Sequence, residues 1–495
     1  MIGLTFAACA FEPRKRSVRP WNRRSLDFLP ALLLAAAFGG KAAAATQELI
    51  ILHDNDLHGH LRPFCYIELA MGPQEHCNVG GAARRSTLIQ TLRAHAAAPA
   101  LIVDAGDTST RGPLATTYEG VDEIEIMNAI GYDMAAVGNN EFKLKDGADA
   151  HDVLGAQAAF ERLVRRARFP WLCANVTDAN GALLPGVQPF IVRQLGPLKI
   201  AFLGLTAPRS SEYPQTRGLS FGDPIAAARS WIVRARAEAD VVVAVTHLGV
   251  IEDQRLVQET RGIDAVVGGD SHTFLYEPLQ VKNLEGVMVP IVQAGVYGVR
   301  VGELHLTFVG DSTTGWRLEH FTDRLIAVDA SLKPDPVVAN LVENYAHPLD
   351  VRVGISQTIG STPADRKRLT AEAAANAWKV AAGAEVGLQR EDDLYGSFSS
   401  REITRYILYS VLPFHETVWR GELSGSRLKQ LLDTRTTYGG AMRSTIRESD
   451  IVPTKVYNVA ATTFLAQTVL SGGEDTGEES RIAAEEWLAA EAAHH

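Results

Sequence analysis

The chain has 495 residues, of which 46% are hydrophobic and 21% charged, a composition that fits a folded globular protein and excludes an intrinsically disordered one. Its length exceeds that of one compact domain and predicts two domains behind a leader segment. The net charge of −10 argues against a nucleic-acid partner, because an acidic surface repels phosphate backbones.

Residues 1–45 have the pattern of a secretory signal peptide. A basic head is followed by an apolar stretch from Leu29 to Gly40 and by small residues up to Ala45, after which we expect cleavage. The apolar stretch is too short for a membrane-spanning helix. Arg23 and Arg24 also fit a twin-arginine signal, so twin-arginine export and general export both stay open.

Removal of this leader leaves 41 basic and 56 acidic residues, a net charge of −15. We therefore expect a periplasmic or secreted protein that crosses no membrane and binds no nucleic acid. An oxidising compartment permits disulfides, and Cys65 and Cys77 lie 12 positions apart in a polar loop, so we expect them to pair. Cys173 lies in an apolar run and is predicted to be a buried thiol; a zinc site formed by the three cysteines is the alternative.

From Glu48 to Thr307, short β-branched runs alternate with stretches of helical pattern. The runs that predict strands are 48–52, 100–103, 134–137, 199–203, 241–245 and 265–267. Continuous apolar strands of this kind indicate sheets buried on both faces in an α/β layered domain. We assign this first domain to residues 46–328.

Polar side chains follow five of these runs, at the carboxyl ends where open α/β sheets bind their ligands. Singly, an aspartate there is usually a turn residue or a helix cap, and a lone histidine is usually structural. The ordered series instead indicates a centre for two divalent ions, which needs a bridging carboxylate and several further ligands. Imidazole with carboxylate favours zinc, manganese or iron. The candidate ligands are Asp56, His58, Asp107, Asn139, His247, Asp270 and His272.

Residues 329–360 turn polar and rich in proline, which predicts an interdomain linker that carries a helix over 337–345. A second, smaller domain is predicted over residues 361–495. Its predicted helices lie near 371–382, near 424–432 and in the acidic, alanine-rich tail from Glu474 onward.

Several motifs resemble those of the bacterial 5'-nucleotidases over about residues 46–475. Those in the first domain are Asn55-Asp56-Leu57-His58-Gly59, Gly80-Gly81-Ala82-Ala83-Arg84, Asp104-Ala105-Gly106-Asp107, Gly138-Asn139 and the Gly-Gly-x-Ser-His-Thr block that ends at Thr273. Looser matches in the second predicted domain are Val411-Leu412-Pro413-Phe414 and Tyr457-Asn458-Val459-Ala460. The resemblance implies an α/β fold in which a four-layer metallophosphoesterase sandwich precedes a smaller α/β nucleotidase C-terminal domain.

The same resemblance implies a phosphoesterase that acts on nucleotides or related small phosphate esters. With the signal pattern of residues 1–45, we expect an exported protein, and we expect it to be a monomer. The resemblance assigns one ion to Asp56, His58, Asp107 and His272, and the other to Asp107, Asn139, His247 and Asp270. The two divalent ions, zinc, manganese or similar, would generate a metal-bound hydroxide that attacks phosphorus.

The sequence departs from the family at its catalytic dyad. Asn140 and Lys143 stand where the family has histidine and aspartate, which stabilise the transition state and help the leaving group. An asparagine cannot deliver a proton, so reduced activity is expected. Asp270 also replaces the usual histidine ligand, although a carboxylate still binds metal.

Nucleotide recognition also departs from the family pattern. Arg390 is the candidate phosphate contact in the second domain, and Tyr438 and Phe464 are the candidates for clamping the base. A surface arginine and two core aromatics are the plainer interpretations. Two alternatives to the phosphoesterase stay open: a catalytically degenerate protein that binds metal and nucleotide, and a thiosulfohydrolase-like enzyme.

Overall fold

The structure is a computed structural model that describes residues 45–68, 72, 74–144, 152–311, 313, 315–356, 360–433, 441–470 and 472–493. The proposed signal peptide lies outside the described residues up to position 44. Ala45, after which cleavage is predicted, is the first residue of a strand and pairs with Gly310. Within the described ranges, every helix falls short of the length or hydropathy needed to cross a membrane.

The first part of the chain alternates strands and helices. Its strands are β1 (Ala45–Asp54), β2 (Phe64–Ile67), β3 (Glu75–Val79), β4 (Ala100–Asp104), β5 (Met134–Ala136), β6 (Trp171–Leu172), β7 (Val176–Thr177), β8 (Val187–Gln188), β9 (Phe190–Leu195), β10 (Leu198–Thr206), β11 (Ser220–Phe221), β12 (Val241–His247), β13 (Ala265–Gly268), β14 (Leu279–Lys282), β15 (Met288–Val292), β16 (Arg300–Asp311), β17 (Gly315–Thr322) and β18 (Leu325–Ala327). Its helices are α1 (Ala82–His95), α2 (Pro113–Tyr118), α3 (Val121–Ile130), α4 (Val153–Arg166), α5 (Pro224–Glu238), α6 (Val250–Glu259) and α7 (Pro336–Ala346). The six predicted strands are confirmed as β1, β4, β5, β10, β12 and β13.

Two large sheets form the centre of this part. The first has the strand order β17-β16-β1-β4-β5-β6-β8, with β1, β4, β5 and β6 parallel. The second has the order β14-β15-β13-β12-β10-β9, with β10, β12 and β13 parallel. Parallel strands bring their carboxyl ends to the same edge of a sheet, so the polar loops that follow them gather there.

Alternation along β1 shows how the layers stack. Leu49 and Ile51 enter a core shared with Phe202 and Val243 of the second sheet, whereas the intervening side chains of β1 face the helices. Helices α1, α3 and α4 cover the outer face of the first sheet, and α5 and α6 cover that of the second. Within the described residues this gives the order helix, sheet, sheet, helix, so the predicted four-layer α/β sandwich is confirmed.

The predicted helix over 337–345 is confirmed as α7. Asp335 caps its first turn by accepting hydrogen bonds from the backbone N–H groups of Val337 and Val338, at 2.8 and 3.3 Å, and Pro336 occupies the first helical position. The Ser86 hydroxyl donates to the same carboxylate at 2.8 Å and holds α7 against α1. The proposed domain limits at residues 328 and 361 stay predictions.

The C-terminal part packs helices on both faces of a third sheet with the strand order β23-β20-β24-β22-β25. Its strands are β19 (Arg352–Ile355), β20 (Val386–Arg390), β21 (Glu402–Thr404), β22 (Thr417–Ser424), β23 (Met442–Ser444), β24 (Val456–Thr462) and β25 (Gly473–Glu479). Its helices are α8 (Pro363–Ala381), α9 (Arg405–Val411), α10 (Gly425–Asp433), α11 (Thr463–Val469) and α12 (Ser480–Ala493). Apolar side chains of α8 and α12 form one core, and those of α10 and α11 form another.

The acidic tail differs from its prediction. The segment from Glu474 to Glu479 belongs to β25, and the terminal helix begins only at Ser480. Pairing with β22 explains this, since Arg420 lies opposite Glu474 in the register and its guanidinium contacts that carboxylate. Tertiary pairing therefore overrides the weak local preference for helix.

The expected disulfide between Cys65 and Cys77 is present, and it joins β2 to β3. Cys173 is a buried free thiol, as predicted. The alternative of a zinc site formed by the three cysteines is therefore wrong.

Candidate metal centre

The seven predicted ligands lie on loops that leave the carboxyl ends of strands in both large sheets. Asp56 and His58 follow β1, Asp107 follows β4, and Asn139 follows β5, all in the first sheet. The remaining three come from the second sheet, where His247 ends β12 and Asp270 and His272 follow β13. The site therefore lies where the edges of the two sheets meet.

Backbone hydrogen bonds join these loops beyond the ends of the strands. The Asp56 N–H donates to the Gly106 carbonyl at 2.8 Å, and the His58 N–H donates to the Asp107 carbonyl at 3.0 Å. Asn55 ties the same loop to the segment after β15, because its amide donates to the Gly295 carbonyl at 2.6 Å. Backbone hydrogen bonds therefore hold the loops after β1 and β4 against each other.

Five of the seven predicted ligands adopt left-handed backbone conformations. Their φ values are 52° for Asp56, 47° for His58, 61° for Asp107, 81° for Asp270 and 55° for His272. Positive φ is uncommon outside glycine, and such conformations persist where the surrounding structure imposes them. Residues of this kind cluster at functional sites.

Asp56, His58 and His272 form the first group of side chains. His58 Nε2 lies 3.2 Å from His272 Nε2, and His272 Nε2 lies 3.2 Å from Asp56 Oδ1. Asp56 Oδ1 and His58 Nδ1 are buried without a hydrogen-bond partner among the described residues. A buried carboxylate oxygen that faces imidazole nitrogens in this way fits a cation between them.

His247 is the centre of the second group. Its Nδ1 lies 2.8 Å from the Ala105 carbonyl and donates to it, which leaves Nε2 as the ring nitrogen that can bind a metal ion. Its Nε2 then faces Asp107 Oδ2 at 3.2 Å, Asn139 Oδ1 at 3.2 Å and Asp270 Oδ1 at 3.4 Å. The Nε2 nitrogen of His247 and three side-chain oxygens thus converge on one point, and together they form a suitable ligand set for a divalent ion.

Electrostatics at this point favour positive charge. Burial alone would lower the pKa of His247, but the Asp107 and Asp56 carboxylates outweigh burial and raise the pKa well above its usual value. Burial likewise opposes ionisation of Asp107, yet His247 brings the pKa of that carboxyl well below its usual range. The carboxylates therefore stabilise a cation here, which is the property that a metal centre needs.

Asp107 links the two groups. Its Oδ2 lies 3.2 Å from His247 Nε2 and 3.8 Å from His58 Nε2. Asp56 also reaches both groups, with Oδ1 at 3.7 Å from His58 Nε2 and 3.9 Å from His247 Nε2. The residues present fit divalent metal ions, with a carboxylate shared between the groups.

The two altered dyad positions lie beside this centre. The Asn140 backbone N–H donates to Asp107 Oδ1 at 2.7 Å, and its side-chain amide donates to the other oxygen of the same carboxylate. Lys143 Nζ lies 3.7 Å from the centroid of the Tyr213 ring. The Tyr213 hydroxyl in turn accepts a hydrogen bond from the Asn139 amide at 3.1 Å. Asn140 therefore contacts a proposed ligand directly, whereas Lys143 stacks on a neighbouring ring.

Glu141 has a positioning role that the sequence prediction missed. Its buried carboxylate accepts from the backbone N–H groups of Asp107 at 3.0 Å, Thr108 at 2.8 Å and Gly138 at 2.8 Å. It thus holds the loop after β4 against the loop after β5. The signal was available, because Glu141 lies inside the motif that contains Asn139.

Arg209 was also missed. Its guanidinium pairs with both oxygens of Asp270, with Nη1 2.8 Å from Oδ2, and its Nη2 lies 3.3 Å from Asn139 Oδ1. Arg209 follows β10, another strand of the second sheet that ends at the same edge. Inspection of the residues after every predicted strand, including those without histidine or aspartate, would have found it.

The candidate substrate residues of the C-terminal part form a separate group. Arg390 donates to Asp393 Oδ1 through Nε at 2.9 Å, and its guanidinium lies 5.5 Å from the Phe464 ring centroid. Phe464 is 54% exposed, so the plainer interpretation as a core aromatic is wrong for this ring. Tyr438 lies outside the described residues. Within the described part of the chain, the hydrogen bonds and ring contacts of Arg390 and Phe464 do not reach the seven predicted ligands.

Comparison with known proteins gives matches to two family models. The calcineurin-like phosphoesterase model matches residues 49–274, and the 5'-nucleotidase C-terminal domain model matches residues 352–445. Human 5'-nucleotidase is 32% identical over 297 residues, which cover 56% of this chain and 49% of the human protein. The chain spans about half the length of the relatives of this kind that it matches.

Solved structures with the same fold cover most of the chain. A 5'-nucleotidase precursor from Thermus thermophilus aligns with a TM-score of 0.72 at 24% identity, over 90% of this chain and 97% of that one. The sulfate thiohydrolase SoxB of Thermus thermophilus aligns with a TM-score of 0.68 at 20% identity, over 90% and 94% of the two chains. At these identities the likeness establishes the fold alone.

Proposed function

Because the chain belongs to the 5'-nucleotidase family of calcineurin-like phosphoesterases, we propose that it hydrolyses phosphate esters, nucleotides in particular, with two divalent metal ions. The observation that carries the proposal is the convergence of seven metal-type side chains, from loops of both sheets, into two adjoining and largely buried groups. Left-handed backbone at five of them supports a functional origin for this arrangement.

We assign one ion to Asp56, His58, Asp107 and His272, and the other to Asp107, Asn139, His247 and Asp270. The separation of 3.2 Å between Asp107 Oδ2 and His247 Nε2, and that of 3.8 Å between the same oxygen and His58 Nε2, support Asp107 as the shared ligand. When bound, two such ions make water nucleophilic at neutral pH and neutralise charge on the phosphoryl oxygens.

The protein's own groups prepare the site for that chemistry. The Ala105 carbonyl holds His247 with Nε2 directed at the carboxylates. Glu141 fixes the backbone that carries Asp107, so the shared carboxylate keeps its position without rearrangement. Such fixed ligand positions favour the transition state, because no reorganisation is needed during the reaction.

We propose that turnover is slower than a histidine–aspartate dyad would allow. Asn140 has no titratable proton, and its amide is engaged by Asp107. Absence of a general acid costs about 10²–10⁴ in rate. Esters with good leaving groups lose least, since their departing oxygen needs no proton. The absence of a proton donor at Asn140 also favours a second candidate function, a protein that binds metal and nucleotide without hydrolysis.

For the nucleotide itself we propose contacts with Arg390 and Phe464, where a guanidinium and an exposed ring lie together. A planar cation can contact phosphate and an exposed ring can stack on a base. Tyr438 stays a prediction from the sequence.

The test measures the metal content of the purified protein and hydrolysis with added Mn²⁺ or Zn²⁺. Substrates are AMP, ADP, a nitrophenyl phosphate and a thiosulfonate. We expect metal-dependent phosphate release that is fastest on the nitrophenyl ester and is lost in Asp107→Asn. Nucleotide binding without release would favour the second candidate, and cleavage of the thiosulfonate alone would favour a thiosulfohydrolase. Failure to bind metal would contradict all three.

We further propose that the protein works outside the cytoplasm. The disulfide between Cys65 and Cys77 supports this, because such bonds persist in oxidising compartments. Fractionation of producing cells, with the thiols trapped before lysis, should find the protein oxidised in the periplasm or the medium. A reduced cytoplasmic protein would contradict the proposal.

A further inference from the structure

Arg111 lies four positions after Asp107, in the loop between β4 and α2, and no motif identified it. Its φ of 69° is left-handed, a conformation that arginine seldom adopts. Its Nε is buried and has no hydrogen-bond partner among the described residues. A guanidinium with a buried, unsatisfied N–H donor needs an explanation, because desolvation of a polar group is costly.

The segment that carries Arg111 packs against the loop that carries His58. The Gly59 N–H donates to the Thr108 carbonyl at 3.0 Å, and a Cβ added at Gly112 would lie only 2.3 Å from the Gly59 carbonyl oxygen. Burial lowers the pKa of Arg111, but charges that include the Asp107 and Asp56 carboxylates raise it. Arg111 is therefore a fixed positive charge beside the first group of ligands.

The other side of Arg111 faces the C-terminal part. Its Cζ lies 5.6 Å from the ring centroid of Tyr395, a distance suited to a cation–π contact. The Tyr395 ring packs edge to face on Phe414, with centroids 5.1 Å apart. Tyr395 is also 37% exposed, so Arg111 lies between the metal centre and an aromatic surface that water reaches.

A second arginine provides a direct contrast. Arg62 lies over the Tyr406 ring at 4.7 Å, again between the first part and the C-terminal part. Its guanidinium is neutralised by Glu343 and Asp350, to which it donates at distances from 2.7 to 3.0 Å and in one shorter contact. Arg62 therefore acts as a structural tie, that is, a residue whose contacts only hold the first part and the C-terminal part together.

In the part of the chain that the structure describes, Arg111 has no comparable partner. The carboxylates near it, Asp56 and Asp107, are the ones that we assign to the two ions. Once those carboxylates bind cations, their charge is no longer available to Arg111. An additional anion is then required to neutralise a site that contains two dications and a guanidinium.

We infer that Arg111, held against Tyr395, binds an anionic oxygen of the phosphate ester at the metal centre. The inference rests on the proposed function and adds to it a phosphate contact from the first part of the chain. A guanidinium suits this role because its planar donors match two phosphate oxygens at once. Its donors also supply some of the charge stabilisation that Asn140 cannot.

The test is the affinity of the Mn²⁺-saturated full chain for inorganic phosphate, measured by calorimetry. We expect Arg111→Gln to weaken phosphate binding at least about tenfold, as loss of a charge-assisted contact requires. Arg111→Lys should keep part of the affinity. Tyr395→Leu should weaken binding about threefold or more by loss of the cation–π contact, whereas Tyr395→Phe should preserve it. Arg62→Gln is the matched control and should stay within about twofold of the unaltered protein.

Mn²⁺ affinity and melting temperature are measured for every variant. Wild-type phosphate affinity in Arg111→Gln would overturn the inference, while phosphate release by the unaltered enzyme would leave the proposed function standing. A lowered melting temperature with unchanged phosphate affinity would make Arg111 a structural tie like Arg62, which also overturns it. If the unaltered protein binds Mn²⁺ but neither binds phosphate nor releases it from esters, the proposed function fails and the inference fails with it.

Discussion

Arg209 follows β10 and places its guanidinium against Asp270, one of the seven proposed ligands. The ion pair with Arg209 neutralises the Asp270 carboxylate when no metal ion is bound. A metal ion that binds Asp270 therefore has to compete with the Arg209 guanidinium. Burial opposes ionisation of Asp270, and His247 and Arg209 together lower the pKa of its carboxyl. The arginine and a metal ion thus compete for the same negative charge.

We therefore predict that Arg209→Gln tightens Mn²⁺ binding by about two- to fivefold, the range expected for release of a partly exposed ion pair. Calorimetric titration measures the effect. Arg255→Gln on α6 is the matched control, because its side chain is 51% exposed against 50% for Arg209 and pairs with Glu252 and Glu259, which are not among the proposed ligands. Unchanged or weaker Mn²⁺ binding in Arg209→Gln would contradict the prediction.

Asn140 and Lys143 allow a test by reversal. The double change Asn140→His with Lys143→Asp restores a group that can hold a proton, together with a carboxylate to orient it. We predict a rise in kcat of about 10²-fold or more on AMP and a smaller rise on a nitrophenyl ester, whose leaving group needs no proton. Asn140→His alone is the control. Equal gains on both substrates would argue against a general-acid explanation.

At the level of elements, helix α3 carries a buried acidic residue in its first turn. Asp122 is fully buried, and burial followed by the charge of Glu123 raises the pKa of Asp122 to about 8. An unfolded chain loses this proton near pH 4. Between these values the folded state binds more protons than the unfolded state, so the free energy of unfolding falls as pH rises through this window.

We predict that Asp122→Asn removes a slope of about 1.4 kcal/mol per pH unit between about pH 4 and pH 8. The variant should match the unaltered protein near pH 4 and exceed its stability above pH 8. Denaturant unfolding at a series of pH values measures the slope. Glu422→Gln, at an exposed position of β22, controls for loss of charge alone. An unaltered slope in Asp122→Asn would show that Asp122 is ionised in the folded state.

The elements also differ in how well the sequence could predict them. Strands β10 and β12 are continuous apolar runs buried between two layers, so composition alone identifies them. Strand β25 consists of Gly, Glu, Asp and Thr, and it exists because β22 offers it hydrogen bonds. No local pattern contains that information. The sequence prediction accordingly missed this edge strand and assigned its residues to a helix.

The residues of the site likewise divide into those that the sequence pattern predicts and those that depend on tertiary packing. The seven side chains were predicted to converge because they follow parallel strands, whose ends topology brings together, and the structure does bring them together. Arg209 and Arg111 were not predicted, because their importance depends on which neighbours tertiary packing gives them. The role of the seven as ligands stays a proposal that metal analysis can test.

On the scale of the whole molecule, the proposed ligands bridge two sheets. Asp56, Asp107 and Asn139 belong to the first, and His247 and Asp270 belong to the second. Bound ions would therefore join the two halves of the sandwich and remove the repulsion between carboxylates that now face one another. Metal binding and global stability should be linked.

We predict that Mn²⁺ at 100 times its dissociation constant raises the free energy of unfolding by about 2.7 kcal/mol per site. Thermal unfolding with Mn²⁺ and with a chelator gives the comparison. Asp107→Asn, which removes the shared carboxylate charge, should lose most of the increase. An identical melting temperature in both conditions would exclude tight metal binding by the native state.

The left-handed backbone at positions 56, 58, 107, 270 and 272 has a consequence for engineering. Glycine adopts such conformations freely, whereas each other residue costs about 1 kcal/mol or more. A programme that ranks substitutions by the thermostability of the metal-free chain would thus favour glycine at these five places. It would relieve the backbone strain, but it would remove the metal centre and the stability that bound ions add.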